Sequence, residues 1–408
     1  LSGGCSTPPP SSDFMRMDGV NSIGFADSKQ PGTGLDTYNY RNSLDPSKQN
    51  LQINQSYTVY GGKRFKFGND ALSFFLVASH NKDYTHYDEL VRNTTTTGTL
   101  TQDMNGDISK VKTSQLAMAN VEYSLSRRHR LAYNFMLVHS TDESVGDYLG
   151  MDADYQSSDT YEGFMRRQQA NDNMLIVNQL DTRWQLGKRF GLDAGVAYNI
   201  VNGYEPDRRI NNLVLTDEGY VPMKGTGVQQ RYFSKLNDKD LNVRAALTYK
   251  LADSFEGKSN VRLGYMGRFV KDGFEAVEYD MSVARQTVFD IGNVRFDSYY
   301  NQDNYADGMF LLDHYVESYD VKKNIHSAYA EATYQLTRRF TAKLGLKYDN
   351  VDMKVGYNVN RNSTKGDQEI KENYFLPSLN LRYDITEDHA LRLAASKTYT
   401  LPQSKEIS

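Results

Sequence analysis

The strongest constraint on the fold of this chain is a repeated alternation in residues 326–349. Two arms alternate apolar and polar side chains with a period of two, and a short basic turn joins them. That period belongs to a β-strand, in which successive side chains point to opposite faces, and not to a helix. The apolar positions are Ala328, Ala330, Ala332, Tyr334 and Leu336, then Phe340, Ala342, Leu344, Leu346 and Tyr348. The segment is therefore a β-hairpin with one apolar face and one polar face.

The aromatic residues of the apolar face are spaced to fit a membrane. Phe340 and Tyr348 lie eight residues apart, which is about 26 Å along a strand. The apolar band of an outer-membrane barrel is about 25 Å tall, and aromatic girdles mark its two edges. The same spacing recurs at Phe190 with Tyr198 and at Val261 with Phe269. This favours a transmembrane barrel over a soluble β-protein.

Short and long connections alternate along the chain. Short turns are predicted near 126, 187, 337 and 387, and long loops at about 141–172, 202–229, 272–318 and 351–369. Short turns on the periplasmic side and long loops outside the cell are typical of outer-membrane barrels. Roughly twelve strands result. They pair as about 49–64 with 69–82, 108–125 with 129–140, 174–186 with 190–199, 241–250 with 261–269, 326–336 with 340–349, and 370–386 with 389–400.

The predicted fold is therefore all-β, an antiparallel transmembrane β-barrel with short periplasmic turns and long extracellular loops. Residues 49–408 form the barrel domain, and residues 1–48, rich in breaker residues, form an irregular or loop segment. About twelve strands alone would leave two unpaired edges, which hydrocarbon does not tolerate. We expect either that these strands close a small barrel or that they are part of a larger one. The absent signal peptide and the pattern that is interrupted at Ser408 favour a piece of a longer chain.

Composition excludes several other classes of protein. No apolar run approaches the roughly 20 residues that a membrane helix requires. The net charge of −4 provides no basic footprint for nucleic acid. The single Cys5 excludes an internal disulfide framework and a thiolate metal cluster. Because hydrolase, zinc-protease and nucleotide-binding motifs are also absent, we predict no enzyme activity and no cofactor.

One segment resembles a metal-binding loop. Residues 103–107 place oxygen-bearing side chains at three alternate positions, as a calcium loop does. The glycine is misplaced for an EF-hand and no glutamate follows at the required distance. We therefore favour a surface turn and predict no metal site.

Two sets of residues are candidates for ligand contact. The first is a row of aromatic residues in the predicted loop 272–318, which suits stacking on a sugar, a peptide or an aromatic chelate. Its members are Tyr299, Tyr300, Tyr305, Phe310, Tyr315 and Tyr319. The alternative is that these rings pack the loop against its neighbours, and this alternative is favoured.

The second candidate set consists of two arginine pairs, Arg166 with Arg167 and Arg208 with Arg209, in two different predicted loops. Arginine binds anionic groups through two parallel hydrogen bonds, so the pairs are suited to converge on an anionic ligand. Solvated surface charge is the favoured alternative.

The last 35 residues resemble the signature region of TonB-dependent outer-membrane receptors. The family pattern is a strand with LP-x-L-N, then LR-x-x-x-S-x-T, then RP-x-F-x-E-L. The matching segments here are 374–383 (YFLPSLNLRY), 391–398 (LRLAASKT) and 402–407 (PQSKEI). Leu401 replaces the usual arginine and Ser404 replaces the usual aromatic residue. The matching residues mark the family and identify no ligand.

The resemblance implies more than the strands. Such receptors are 22-stranded barrels with an N-terminal plug that engages the TonB complex, in the outer membrane of Gram-negative bacteria. They import a scarce ligand, such as a siderophore, cobalamin, glycan or peptide, with energy from the inner membrane. The implied partners are outer-membrane lipid, TonB through a plug, the ligand, and a surface lipoprotein. Neither plug nor TonB box is recognisable in the sequence, and about ten strands would follow Ser408.

Two other functions stay open at this stage. The barrel is also suited to adhesion or to scaffolding an assembly without transport, or to act as a passive porin. An importer loses uptake when the proton gradient collapses, an adhesin binds without energy, and a porin conducts without saturation.

Overall fold

The period-two alternation forms long antiparallel strands in the computed structural model of the protein, which describes residues 2–6, 13–26, 35–126, 128–155, 160–251, 259–359 and 364–402. Fourteen strands form one sheet and two short strands form a separate ribbon. The all-β antiparallel fold class is therefore confirmed.

The strands are, in chain order, β1 (Ser2–Ser6), β2 (Met15–Arg16), β3 (Ser47–Lys48), β4 (Asn54–Phe67), β5 (Asp70–Thr94), β6 (Leu100–Leu125), β7 (His129–Asp152), β8 (Glu162–Leu186), β9 (Phe190–Thr216), β10 (Gly219–Pro222), β11 (Gln230–Lys250), β12 (Asn260–Val283), β13 (Phe310–Gln335), β14 (Phe340–Val359), β15 (Thr364–Asp384) and β16 (Ala390–Ser396). A short helix, α1 (Gln302–Ala306), and two 3-10 turns, Ile291–Asn293 and Phe296–Ser298, lie between β12 and β13. None of the helices in the described residues has the length and hydropathy needed to span a bilayer.

The six predicted hairpins are all present, as β4–β5, β6–β7, β8–β9, β11–β12, β13–β14 and β15–β16. Their short-turn ends agree with the prediction. Their other ends run further than predicted, because β8 has 25 residues and β9 has 27. Much of the predicted loops 141–172 and 202–229 is therefore strand. The alternation of apolar residues ends at the expected edge of the membrane, but the strands continue to pair for about ten residues beyond it.

One face of the sheet carries an apolar belt beside the short turns. Leu344 and Leu346 are 59% and 50% exposed, and Val196 and Leu247 are exposed as well. A row of exposed large apolar side chains is typical of a surface that meets lipid. We call this face of the sheet the belt face.

The opposite face, called the polar face, carries ion pairs at the same height. The Lys343 amine lies 3.0 Å from the Glu331 carboxylate. Arg183 Nε lies 2.7 Å from Asp193 Oδ1, and Arg244 Nη2 lies 2.5 Å from Asp181 Oδ1. Apolar and charged residues thus occupy opposite faces of these strands at the same height, as expected for a wall between lipid and water.

From β7 to β12, the upper part of the belt face is covered by other parts of the chain. On β7, Leu131 and Tyr133 are exposed, whereas His139 and Glu143, which are on the same face, are buried. The covering consists of residues 13–26, 35–49 and 284–309, which we call the cap. Its main apolar core includes Leu44, Phe164, Leu213, Met281, Phe289, Val294, Phe296, Tyr299, Tyr300 and Phe310.

The sheet does not close on itself. The edge strand β1 pairs with residues 54–58 of β4, and the other edge strand, β16, pairs with residues 378–384 of β15. Residues 2–6, which lie in the predicted irregular segment, therefore belong to the sheet. The division of the chain at residue 49 stays a prediction.

The belt face generates a stability prediction. Leu344→Arg would place a guanidinium at mid-height of the belt, and we expect it to lower the free energy of unfolding by about 2–4 kcal/mol in lipid vesicles. Ser378→Arg is the matched control, because Ser378 lies beside it on the polar face, opposite Gly345. Urea titration of both variants measures the difference. Equal destabilisation by the two variants would contradict the assignment of the belt face to lipid.

Candidate functional site

The best-defined cluster of polar residues lies where the cap meets the strand wall. The carboxylate of Asp207 accepts hydrogen bonds from Arg209 Nε at 3.1 Å and from Arg231 Nε at 2.9 Å, and a further one from Arg231 Nη2. Asn42 Nδ2 of the cap also donates to it, at 3.2 Å. The two arginine side chains are 0% and 1% exposed. A single carboxylate is thus the shared counterion of two buried guanidinium groups.

These arginines hold the cap by its backbone. Arg209 Nη1 donates to the carbonyl oxygen of Ser43 and its Nη2 donates to that of Asp18, both at 2.6 Å. Arg231 Nη2 donates to the carbonyl oxygen of Asn42 at 2.8 Å, and its guanidinium lies 4.2 Å from the ring centroid of Tyr40. Charge-assisted bonds of this kind are stronger than neutral ones. They therefore fix the positions of Asp18, Asn42 and Ser43 on the wall.

A β-bulge in β9 makes this arrangement possible. The register shifts by one residue on both sides of β9, between Tyr204 and Arg209. Asp207 takes a left-handed backbone conformation there, with φ of 59°, which aspartate tolerates better than most residues. The extra residue brings Arg209 onto the belt face, although strict alternation would place it on the polar face.

Asp207 stays charged despite its burial. Burial alone raises the pKa of the carboxyl group, but Arg209 and Arg231 outweigh it and lower the pKa of Asp207 to about 2. The ion cluster is therefore complete at any physiological pH.

Arg166 binds a different part of the cap. Its Nη2 lies 2.6 Å from Asp147 Oδ2, and its Nη1 donates to the carbonyl oxygen of Val294 at 3.0 Å. Its guanidinium also lies 5.8 Å from the ring centroid of Phe296. Arg166 thus joins the segment 284–309 to β7 and β8.

Arg167 and Arg208 point to the opposite, polar face, because neighbouring residues of a strand alternate. Arg167 Nη2 donates to Gln169 Oε1 at 2.8 Å, and Arg208 stacks on the ring of Tyr232 at 4.3 Å. Glu205 lies near both. The structure therefore does not bring the four predicted arginines together. The favoured alternative of solvated charge is also wrong for Arg166 and Arg209, because both are buried in contacts with the cap.

Most of the candidate aromatic residues are packed inside the cap. Tyr299, Tyr300 and Phe310 are almost completely buried. The rings of Tyr300 and Phe310 meet edge to face at 5.0 Å, and the Tyr299 hydroxyl donates to the carbonyl oxygen of Met309 at 2.9 Å. Tyr305 packs beside them and donates its hydroxyl hydrogen to the carbonyl oxygen of Leu35. These four rings form the packing that was the favoured alternative.

Tyr315 and Tyr319 lie elsewhere, on the polar face of β13. Tyr319 stacks on Phe274 with ring centroids 5.2 Å apart. The Tyr315 hydroxyl donates to Asp313 Oδ2 at 3.3 Å. They are half-buried, so a role in contacting ligand stays a prediction for these two residues.

A second set of contacts, which the sequence analysis did not predict, holds residues 16–26 of the cap. Arg16 Nε lies 3.1 Å from Glu143 Oε1. His139 Nε2 lies 2.8 Å from Asp172 Oδ1, and the ring of Phe25 stacks on the imidazole of His139 at 3.8 Å. Glu143, His139 and Asp172 come from β7 and β8, far from Arg16 and Phe25 in sequence. No local pattern could have indicated them.

Glu143 is the group of this set that titrates near neutrality. Burial raises its pKa to about 7, although Arg16 and Lys82 both act to lower it. Lys82 itself donates to the carbonyl oxygen of Ser22 in the cap at 2.7 Å. We therefore expect the strength with which this part of the cap is held to depend on pH.

No metal centre is found in the described residues, where no group of three or more His, Cys, Asp or Glu side chains is placed to hold an ion. The segment 103–107 is not a surface turn but part of β6, paired on both sides. Asp103 there lies 3.0 Å from Arg92 Nη2. The interpretation as a turn was wrong because alternating polar residues also suit a strand with two wet faces.

Comparisons with known proteins agree with the sequence signature. Residues 272–408 match the family described as TonB dependent receptor-like, beta-barrel. A comparison with curated proteins finds no match. Among solved structures, the outer membrane protease OmpT from Escherichia coli is similar at 12% identity, with 81% of this chain and 96% of that chain covered and a TM-score of 0.22. A TM-score this low supports no argument about this chain. The resemblance to the receptor family is thus confirmed over the C-terminal third.

The buried ion cluster generates one prediction. Asp207→Asn keeps the shape and the tolerated backbone conformation but leaves two buried guanidinium groups without a counterion, and we expect a cost of about 3–5 kcal/mol. Hydrogen exchange of residues 38–45 measures the loosening of the cap. Asp384→Asn is the control, because Asp384 pairs with an exposed arginine, Arg382, and such pairs contribute about 1 kcal/mol or less. Unchanged protection in Asp207→Asn would show that the cluster does not hold the cap.

The second prediction concerns pH. A carboxyl group whose pKa is raised in the docked cap contributes stability that is present at low pH and is lost as pH rises through about 7. We therefore expect protection of residues 13–26 against hydrogen exchange, corrected for the intrinsic rate, to increase as pH falls from 7.5 to about 5.

Glu143→Gln is the test of this assignment, because it mimics the protonated carboxyl group at every pH. The variant is expected to hold the cap at pH 7.5 as firmly as the parent protein does at low pH. A variant whose pH dependence equals that of the parent would assign the effect to another group, such as His139 or Asp172.

Proposed function

We propose, from the premise that residues 272–408 form a TonB-dependent receptor-like β-barrel domain, that the protein takes up a scarce ligand across the outer membrane of a Gram-negative bacterium, with energy from the inner membrane. The domain itself implies an outer-membrane location and a family of receptors and transporters, not enzymes. The direction of transport, the energy source and the ligand belong to the proposal.

Two observations together support the proposal: the family match of residues 272–408, and a sheet with one apolar face and one polar face. The belt face presents apolar side chains to lipid over a height that is about equal to the apolar thickness of the membrane. The polar face offers charged and hydrogen-bonding groups at the same height, including Lys343, Asp193 and Arg244. A wet inner wall is what a polar solute needs to cross hydrocarbon. It is also the surface that a lumen-filling plug would contact.

The partners follow from the same premise. TonB would act through a plug domain, outer-membrane lipid would surround the belt face, and a surface lipoprotein would cover the extracellular end. The ligand class stays open between siderophore, cobalamin, glycan and peptide. Tyr315 and Tyr319 are the candidate ligand contacts that the polar face supports, because their rings lie on this face and not inside the cap.

An uptake experiment separates the importer from its alternatives. A deletion strain and a strain complemented with the full-length gene are compared for accumulation of labelled iron chelate, cobalamin, oligosaccharides and peptides. We expect saturable accumulation of one class in the complemented strain, abolished by a protonophore or by deletion of TonB. Saturable binding without energised accumulation would indicate an adhesin or scaffold, and unsaturable flux that is insensitive to the protonophore would indicate a porin.

A further inference from the structure

The polar face has a cavity of about 200 Å³ a few residues above the short turns. It spans β7 to β13, and six charged side chains line it: Arg130, Arg183, Arg244, Arg262, Asp181 and Asp193. These side chains come from five strands, so no sequence window contains them. The cavity lies away from the cap and from the candidate aromatic residues.

Small residues form the floor of the cavity. Asp193 lies opposite Ala246 in the pairing register, Ala246 lies opposite Gly264, and Gly264 lies opposite Tyr329. A side chain at position 264 would collide with the Tyr329 ring, so glycine is needed there for the ring to lie along the wall. The larger side chains around these small residues are mostly arginines. The cavity thus results from small residues surrounded by large ones, and its lining is charged.

The charges in the cavity do not balance. Four guanidinium groups face two carboxylates. Asp193 is shared between two arginines, at 2.7 Å from Arg183 Nε and 3.8 Å from Arg262 Nη2. Glu122, outside the cavity, lies 2.7 Å from Arg130 and neutralises it in part. One positive charge remains when Glu122 is included, because Glu331, which lies opposite Arg262, is paired with Lys343 at 3.0 Å.

One donor is also left unused. Among the described residues, no acceptor lies within hydrogen-bonding distance of the buried Nε of Arg262. Leaving a buried charged donor without an acceptor is costly. The Arg262 side chain as a whole is 37% exposed, so its guanidinium can contact an oxyanion in the cavity together with Arg183 and Arg244, whose side chains are more than half exposed.

We propose that this cavity is a binding site for a small oxyanion of the phosphate type, at the short-turn end of the polar face. Guanidinium groups present paired N–H donors at the spacing of phosphate and carboxylate oxygens. Partial enclosure by the wall strengthens the attraction relative to open solvent. The inference rests on the proposed function in one respect, namely that the polar face lines the lumen through which an anionic ligand passes.

Inorganic phosphate is the probe for the test. Binding to the purified full-length receptor in detergent is measured by isothermal titration and by broadening of the phosphorus resonance, at low and at high NaCl. We expect saturable binding that weakens as salt rises. The double variant Arg183→Gln/Arg244→Gln is expected to bind phosphate at least about tenfold more weakly, since each lost charge-assisted bond is worth about that factor.

Two further variants control the result. Arg382→Gln removes an arginine of the same face that is paired with Asp384 at 2.8 Å and lies outside the cavity, and it is expected to bind like the parent. Arg183→Lys/Arg244→Lys keeps the charge but loses the paired donors, and intermediate affinity is expected. Resistance of the folded barrel to unfolding in SDS before heating shows that each variant is folded.

The site would be refuted by the absence of phosphate binding to the parent protein, or by equal binding of the parent and the double glutamine variant. If an acidic segment of the same polypeptide occupies the cavity, the parent protein will not bind phosphate. Uptake is measured separately, in cells. Loss of energised uptake with phosphate binding intact would refute the transport proposal and leave the site in place, whereas the reverse would refute only the site.

Discussion

The structure depends on one constraint, the need of a wall between hydrocarbon and water to satisfy every backbone hydrogen bond within itself. An antiparallel sheet meets it by pairing each strand with the next, and the side chains then alternate between lipid and water. Leu344 and Lys343 show the result, since adjacent residues of β14 have opposite environments. The belt face, the polar face and the six hairpins all follow from this alternation.

Above the belt the same strands serve a different purpose. There, the belt face of β7 to β12 is covered by the cap. The cap is held mainly by wall side chains that bind its backbone carbonyl groups, with Arg209, Arg231 and Gln168 as the donors. Every residue of the cap has a backbone carbonyl group, so these contacts do not require particular side chains in the cap. They do require the arginines of the wall. Those arginines in turn depend on Asp207, the carboxylate that both guanidinium groups of the buried cluster share.

The two ends of the wall therefore differ in their electrostatics. At the cap, the charged groups are buried and paired, and burial raises the pKa of Glu143 to about 7. At the short-turn end, charges are accessible and guanidinium groups are in excess around the cavity on the polar face. A solute moving along the polar face would leave an end rich in structural contacts and reach an end that attracts anions.

The sequence by itself determined the strand class, the six hairpins and their short-turn ends, and which residues of each lower strand face together. It could do so because the membrane imposes a local period-two signal, visible at Phe340, Leu344 and Tyr348. The signature at 374–398 added the family. The upper ends of the strands were underestimated because no apolar alternation is required outside the membrane.

Only the tertiary structure decided how the remaining residues are used. Tyr299, Tyr300 and Phe310 are a core and not an exposed ligand surface, because the cap buries them together. Arg166 and Arg209 bind the cap while their neighbours Arg167 and Arg208 face the other way, since one extra residue in β9 resets the alternation. The physical reason is that bulges, buried ion clusters and cavities arise from contacts between strands far apart in the chain, and such contacts leave no periodic trace in the sequence.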